Sequence, residues 1–115
     1  MNKLTDKALK DYTKWLSDYS EKHHGLKGWI EYDNYLDEVE LPETLQNALI
    51  IEWLDSVRIH ILIDYIIDKF DIEIKDYIDL LKECKKYYFT EFDSRQKAVN
   101  KGIEKANLIY NEKQT

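Results

Sequence analysis

A chain of 115 residues, 43% of them hydrophobic, can fill one modest core and excludes two ordinary domains, so residues 1–115 are expected to form a single domain. No stretch approaches the roughly 18 uncharged apolar residues of a membrane span, and Met1 to Lys10 lacks the apolar centre of a signal peptide, which points to a soluble cytoplasmic protein. Lys and Arg number 17 against 23 Asp and Glu, and the net charge of −6 argues against direct binding to nucleic acid.

The first element in chain order is an amphipathic helix from Leu4 to Glu21. At about 100° per residue, Leu4, Ala8, Leu9, Tyr12, Trp15, Leu16 and Tyr19 share an arc of roughly 140°. Thr5 suits the N-cap, which puts Leu4 and Leu9 at the two positions of a hydrophobic staple, and Gly25 supplies a stop. His23 and His24 are adjacent, so on a helix they face different directions; a last-turn position favourable to the helix dipole explains them better than metal ligation.

Lys27 to Leu41 follows neither the helical nor the strand period and reads as an irregular connection. It interleaves Trp29, Tyr32 and Tyr35 with carboxylates. No basic residue occurs between Lys27 and Arg58, an interval holding Glu31, Asp33, Asp37, Glu38, Glu40, Glu43, Glu52 and Asp55. That interval carries −8 and the remainder of the chain +2, the strongest partner signal in the sequence. A basic protein fits such a segment. The plainer reading is that the aromatics cover a core while the acids face water.

The period changes within Leu41 to Tyr65. From Leu45 to Leu54 the apolar spacing is helical, with Pro42 near the first turn, where its missing N–H costs least. From Val57 onward Val57, Ile59, Ile61, Ile63 and Tyr65 alternate with Arg58, His60, Leu62 and Asp64, a period of two built largely from β-branched residues. A single helix from Pro42 to Phe70 is the rival. It would point its two apolar stretches about half a turn apart and so need two cores. The junction is expected near Asp55 and Ser56, whose side chains bond nearby backbone groups.

Asp68 and Lys69 then suit a turn into a second strand, with Phe70, Ile72 and Ile74 on one face. Lys75 to Tyr88 fits both periods; a further strand ending near Phe92 is preferred. Asp93 or Ser94 is expected to cap a final helix to about Asn111, in which Ala98, Val99, Gly102, Ile103, Ala106, Ile109 and Tyr110 share one face. Ala98, Gly102 and Ala106 recur every four residues and would let that helix approach a sheet closely. The fold expected is α+β: two N-terminal helices, a small antiparallel sheet of two or three strands, and a C-terminal helix packed on it.

The segments LPETLQNALIIEWLDSVRIHILI and SRQKAVNKGIEKANLIYN resemble small proteins of bacteriophages and gut-bacterial mobile elements, over about a third of the chain. Those proteins show a short helix, a DSVGI-like junction, alternating strand residues and a terminal helix ending in KANEIYN. Here Arg58 stands in place of the glycine, and Asp93-Ser94-Arg95 where Thr-Arg would be. The resemblance implies helix, strands, helix and supplies no activity. Separately, Glu52-Trp53-Leu54-Asp55 is similar to the ExxD half of the all-α MazG-like nucleotide pyrophosphohydrolases. That likeness implies two magnesium-binding carboxylates on a helical bundle. The EExxE helix that precedes them in that family is absent.

No other constellation carries chemistry. Cys84 has no second cysteine to pair with, and the scattered His give no zinc spacing, so neither metal nor cofactor is indicated. His60 and Asp64 lie on one face of the expected strand, where an ordinary polar edge accounts for both. The function expected is therefore a small acidic interaction module of phage or mobile-element type that binds a basic host protein, of nucleic-acid-binding or defence class, without catalysis. Its candidate contact residues are Trp29, Glu31, Tyr32, Asp33, Tyr35, Asp37, Glu38 and Glu40. The alternative is the magnesium-dependent pyrophosphohydrolase.

Overall fold

The computed structural model describes residues 3–22, 42–78 and 83–113. Among them the order is α1 (Asp6–Lys22), α2 (Glu43–Ser56), β1 (Ile59–Ile66), β2 (Lys69–Tyr77), β3 (Cys84–Phe92) and α3 (Arg95–Lys113). The strands form an antiparallel meander in the order β1-β2-β3, so the chain is α+β, with its helices and strands in the expected order. The single helix from Pro42 to Phe70 is thereby ruled out. The suggested stop at Gly25, His23 and His24, and the connection from Lys27 to Leu41, lie outside the described residues.

The switch from α2 to β1 is made by two residues, Val57 and Arg58. Val57 closes the helix, its N–H donating to the Trp53 and Leu54 carbonyls, and the Arg58 N–H donates to the Asp55 carbonyl. Arg58 itself has φ 67°, the left-handed conformation in which helices commonly end and which glycine adopts without strain. This is where the resembling phage pattern has glycine. The strand therefore starts at Ile59 rather than at Val57, two residues later than the alternation suggested.

Cross-strand pairing sets Ile61 opposite Ile74 and Ile63 opposite Ile72, with Phe89 and Tyr87 next to Ile72 and Ile74 on β3. This face receives α3. Ala98, Ile103 and Ala106 are fully buried against it, and an added Cβ on Gly102 would stand 2.9 Å from Ile61 Cγ2. The small-residue stripe thus brings helix and sheet into close contact, as its spacing suggested. Ser94 is the cap: its hydroxyl accepts the Lys97 N–H at 3.1 Å. Asp93, the other candidate, instead pairs with Lys69 Nζ at 2.7 Å, which holds its carboxyl below the usual range.

Trp53 occupies the centre of the helical layer. It is 2% exposed and meets Tyr12 of α1 and Tyr110 of α3 edge-on, with ring centroids 5.8 and 4.9 Å away. Ala8 of α1 and Leu4, just ahead of the helix, are buried beside it, and Leu9 packs on the same cluster. The amino end of α1 borrows its cap from α3. Thr5 precedes the first helical residue as expected, yet the Ala8 N–H donates to Asn111 Oδ1 at 2.8 Å, while the Thr5 hydroxyl accepts from Asn107 Nδ2 at 3.0 Å. Asn107, Tyr110 and Asn111 of the KANLIYN segment accordingly all hold α1.

The hairpin between β1 and β2 turns at Ile67 and Asp68, one residue earlier than the Asp68-Lys69 expected. Ile66 pairs with Lys69, and both intervening residues have positive φ, 47° and 61°, which defines a turn of the type I′ class that matches strand twist. A β-branched residue pays a steric penalty there of about 1–2 kcal/mol. Asn tolerates the conformation far better. Ile67→Asn is therefore expected to raise stability by about 1 kcal/mol in urea denaturation, since Ile67 is 88% exposed and gives up no packing.

Lys75 to Tyr77 finish β2 and Cys84 to Tyr88 begin β3, so the strand reading holds for those parts of the ambiguous stretch. Residues 79–82 are outside the described set. Near the far end of β3, Thr90 and Glu91 together oppose Asp71, a β-bulge at which Glu91 takes φ 66° and donates its N–H to Asp71 Oδ1.

Candidate interaction surface

All eight candidate contact residues, Trp29, Glu31, Tyr32, Asp33, Tyr35, Asp37, Glu38 and Glu40, lie outside the described residues. The structure does show what becomes of the other acids in the same interval. Glu43, at the start of α2, accepts from Lys3 Nζ at 3.2 Å and from Gln96 Nε2, and the Lys3 ammonium holds its carboxyl below the usual range. Lys3 also donates to the half of this cluster that is sheltered, Asn47 and Asn100, at 2.7 Å each. The entry to α2 is thereby pinned to the first turns of α3.

Glu52 and Asp55 are likewise engaged. The Tyr19 hydroxyl donates to Glu52 Oε2 at 3.4 Å, and Asp55 Oδ1 lies 2.7 Å from His60 Nδ1. His60 therefore pairs back to α2 and does not use Asp64, which stands opposite Asp71 on β2. Its ring also meets Tyr77 edge-on at 5.5 Å. Among the described residues no group of three or more His, Cys, Asp or Glu could hold a metal ion. Cys84 is half-buried at the start of β3, across from Tyr77.

Two features escaped the sequence reading. Asp76, 3% exposed on the core face of β2, is paired with Lys113 Nζ at 2.8 Å, which ties the last turn of α3 to the sheet and satisfies an acid that would be costly to bury alone. The hairpin tip presents Tyr65, Ile66 and Ile67 at 62, 49 and 88% exposure. An apolar run entering a turn without glycine or asparagine was the available signal. The alternation had placed Tyr65 on a strand face and stopped there.

The fold defined by these elements is a three-stranded antiparallel meander carrying helices on one face, with the described acids of the charged interval bound up in its own contacts. The chain matches no known family model, no curated protein and no solved structure. No described helix is long and apolar enough to cross a membrane.

Proposed function

We propose that this chain is a small acidic interaction module of phage or mobile-element type, which engages a basic host protein of nucleic-acid-binding or defence class and performs no catalysis. The observation that carries the reading is the segregation of charge. Of the eight acids between Lys27 and Arg58, Glu43, Glu52 and Asp55 have partners within the fold. The remaining five, Glu31, Asp33, Asp37, Glu38 and Glu40, are interleaved in sequence with Trp29, Tyr32 and Tyr35. A run of acids with no intervening Lys or Arg accelerates encounter with a basic surface, and aromatic side chains are the anchors enriched at interfaces. Such a segment imitates the charge of nucleic acid. The pyrophosphohydrolase alternative implies an all-α bundle, with which a three-stranded sheet is at odds.

The test replaces Asp33, Asp37, Glu38 and Glu40 together by Asn or Gln, with folding checked by thermal melt. Wild type and variant are immobilised, exposed to host extract, and compared for affinity toward the retained protein at two salt concentrations. The expected result is a basic partner whose binding falls at least tenfold in the variant and weakens with salt in the wild type. Binding insensitive to both changes would refute the reading. Incubation with nucleoside triphosphates and magnesium is expected to release no pyrophosphate; release abolished by Glu52→Gln with Asp55→Asn would establish the enzyme instead.

A further inference from the structure

The hairpin between β1 and β2 ends in apolar side chains that the fold does not use. Ile67 is 88% exposed and takes φ 47°, in a two-residue turn where asparagine or glycine would sit without strain. Beside it Ile66 and Tyr65 are exposed as well. A side chain that is strained and packs on nothing in its own chain is explained by what it meets outside that chain.

The two faces of this tip differ in chemistry. On the face that carries α3, Tyr65, Phe70 and Phe92 stand in register across the three strands, with the Tyr65 and Phe70 rings 4.8 Å apart, and Tyr65 projects beyond the cover of the helix. On the opposite face Asp64 stands across from Asp71, an unfavourable pair of like charges. Asp68, in the turn, accepts from the Tyr65 hydroxyl at 3.0 Å, and Asp71 accepts from the Glu91 N–H, so both have neutral partners. Among the described residues none of these three carboxylates pairs with a cation; Lys69, beside them in sequence, is held by Asp93.

We propose that the hairpin tip is a plug for a cleft in a basic protein, a cleft with one apolar wall and one wall bearing Lys or Arg. Ile67 enters first, and the row of Tyr65, Phe70 and Phe92 lies along the apolar wall. A cation from the other wall comes between Asp64 and Asp71 and relieves their repulsion. The class of partner is that of the function proposed above, on which the inference rests, but the contact is a second one, made by residues other than Trp29 to Glu40. A bilayer is a poorer occupant, because inserting Ile67 would press Asp64, Asp68 and Asp71 against lipid phosphates.

The test places the photo-cross-linker p-benzoylphenylalanine in the full chain at position 66, or at exposed Leu108 on α3 as a control, and irradiates each in host extract. The expected result is a saturable adduct with a basic protein from position 66 and none from position 108. Unlabelled wild type should compete for it. Ile67→Asn, which folds at least as stably, should compete at least tenfold less well, and so should Asp64→Asn combined with Asp71→Asn; added salt should weaken the wild-type competitor. The variant at Asp33, Asp37, Glu38 and Glu40 separates the two contacts: if it fails to compete while Ile67→Asn competes as wild type does, the acidic segment is the site and the tip is not, and the converse leaves the tip as the site. Phosphatidylcholine vesicles are expected to leave the chain in solution on sedimentation. The absence of a saturable adduct at position 66, an adduct with an acidic protein or a second copy of the chain, vesicle binding lost in Ile67→Asn, or undiminished competition by Ile67→Asn would overturn the proposal.

Discussion

Trp53→Ala is expected to lower the unfolding free energy by about 3–5 kcal/mol, the range typical of truncating a large buried aromatic residue. Trp53 is the side chain on which all three described helices converge: it lies on α2, meets Tyr12 of α1 and Tyr110 of α3, and is 2% exposed. Its loss removes apolar burial, leaves a void the surrounding helices cannot fully close, and breaks both edge-on ring contacts. Single domains have only about 5–15 kcal/mol in total, so much of the stability is at stake. Urea denaturation of the variant should show a large fall in midpoint with little change in slope, and Trp53→Phe should recover part of the loss by refilling the cavity. A loss below about 1 kcal/mol would mean that the helices do not depend on this residue for their packing.

The second large effect is an alkaline loss of stability carried by Tyr110. Its hydroxyl donates to Asp11 Oδ2, and burial, reinforced by that carboxylate, pushes the phenol up to about 12. The folded state thus holds the proton to higher pH than the unfolded state, whose phenol titrates near 10. The stabilisation is complete below pH 10 and disappears as pH rises from about 10 to about 12, a change of at most about 3 kcal/mol. Asp11 gives the opposite limb. The bond from Tyr110 lowers its carboxyl, so its contribution is present above the normal carboxylate range and is lost as pH falls through the lowered value. Denaturation of wild type and Tyr110→Phe at a series of pH values isolates the effect, because the other tyrosines cancel in the difference. The gap between the two proteins should narrow steadily above pH 10; a constant gap would show that the hydroxyl contact with Asp11 is not made.

The same two residues show how differently sequence and structure contribute. That Trp53 and Tyr110 lie on the apolar side of helices could be read from period alone, because a helix one layer deep must turn every third or fourth residue inward. The hydroxyl of Tyr110 reaching Asp11, and Asn107 and Asn111 supplying the cap of α1, could not. These contacts join residues about a hundred positions apart and leave no local pattern. The acidic, aromatic segment from Trp29 to Glu40 was legible only as composition, whereas the structure shows Glu43, Glu52 and Asp55 of the same interval engaged within the fold.

By itself the sequence determined the existence and order of the helices and strands, because hydrophobic period is a local property set by which face of each element must leave water. It also determined the tight contact of α3 with the sheet, since only Ala98, Gly102 and Ala106 leave room for it. The tertiary structure decided the rest. It gave His60 to Asp55 in place of Asp64, because the left-handed step at Arg58 brings the end of α2 beside the first turn of the strand; it set the hairpin at Ile67, because cross-strand register outweighed turn propensity; and it left β1, with its outward backbone groups, as the edge of the sheet. Each of these depends on how elements meet, a relation that no run of neighbouring residues encodes.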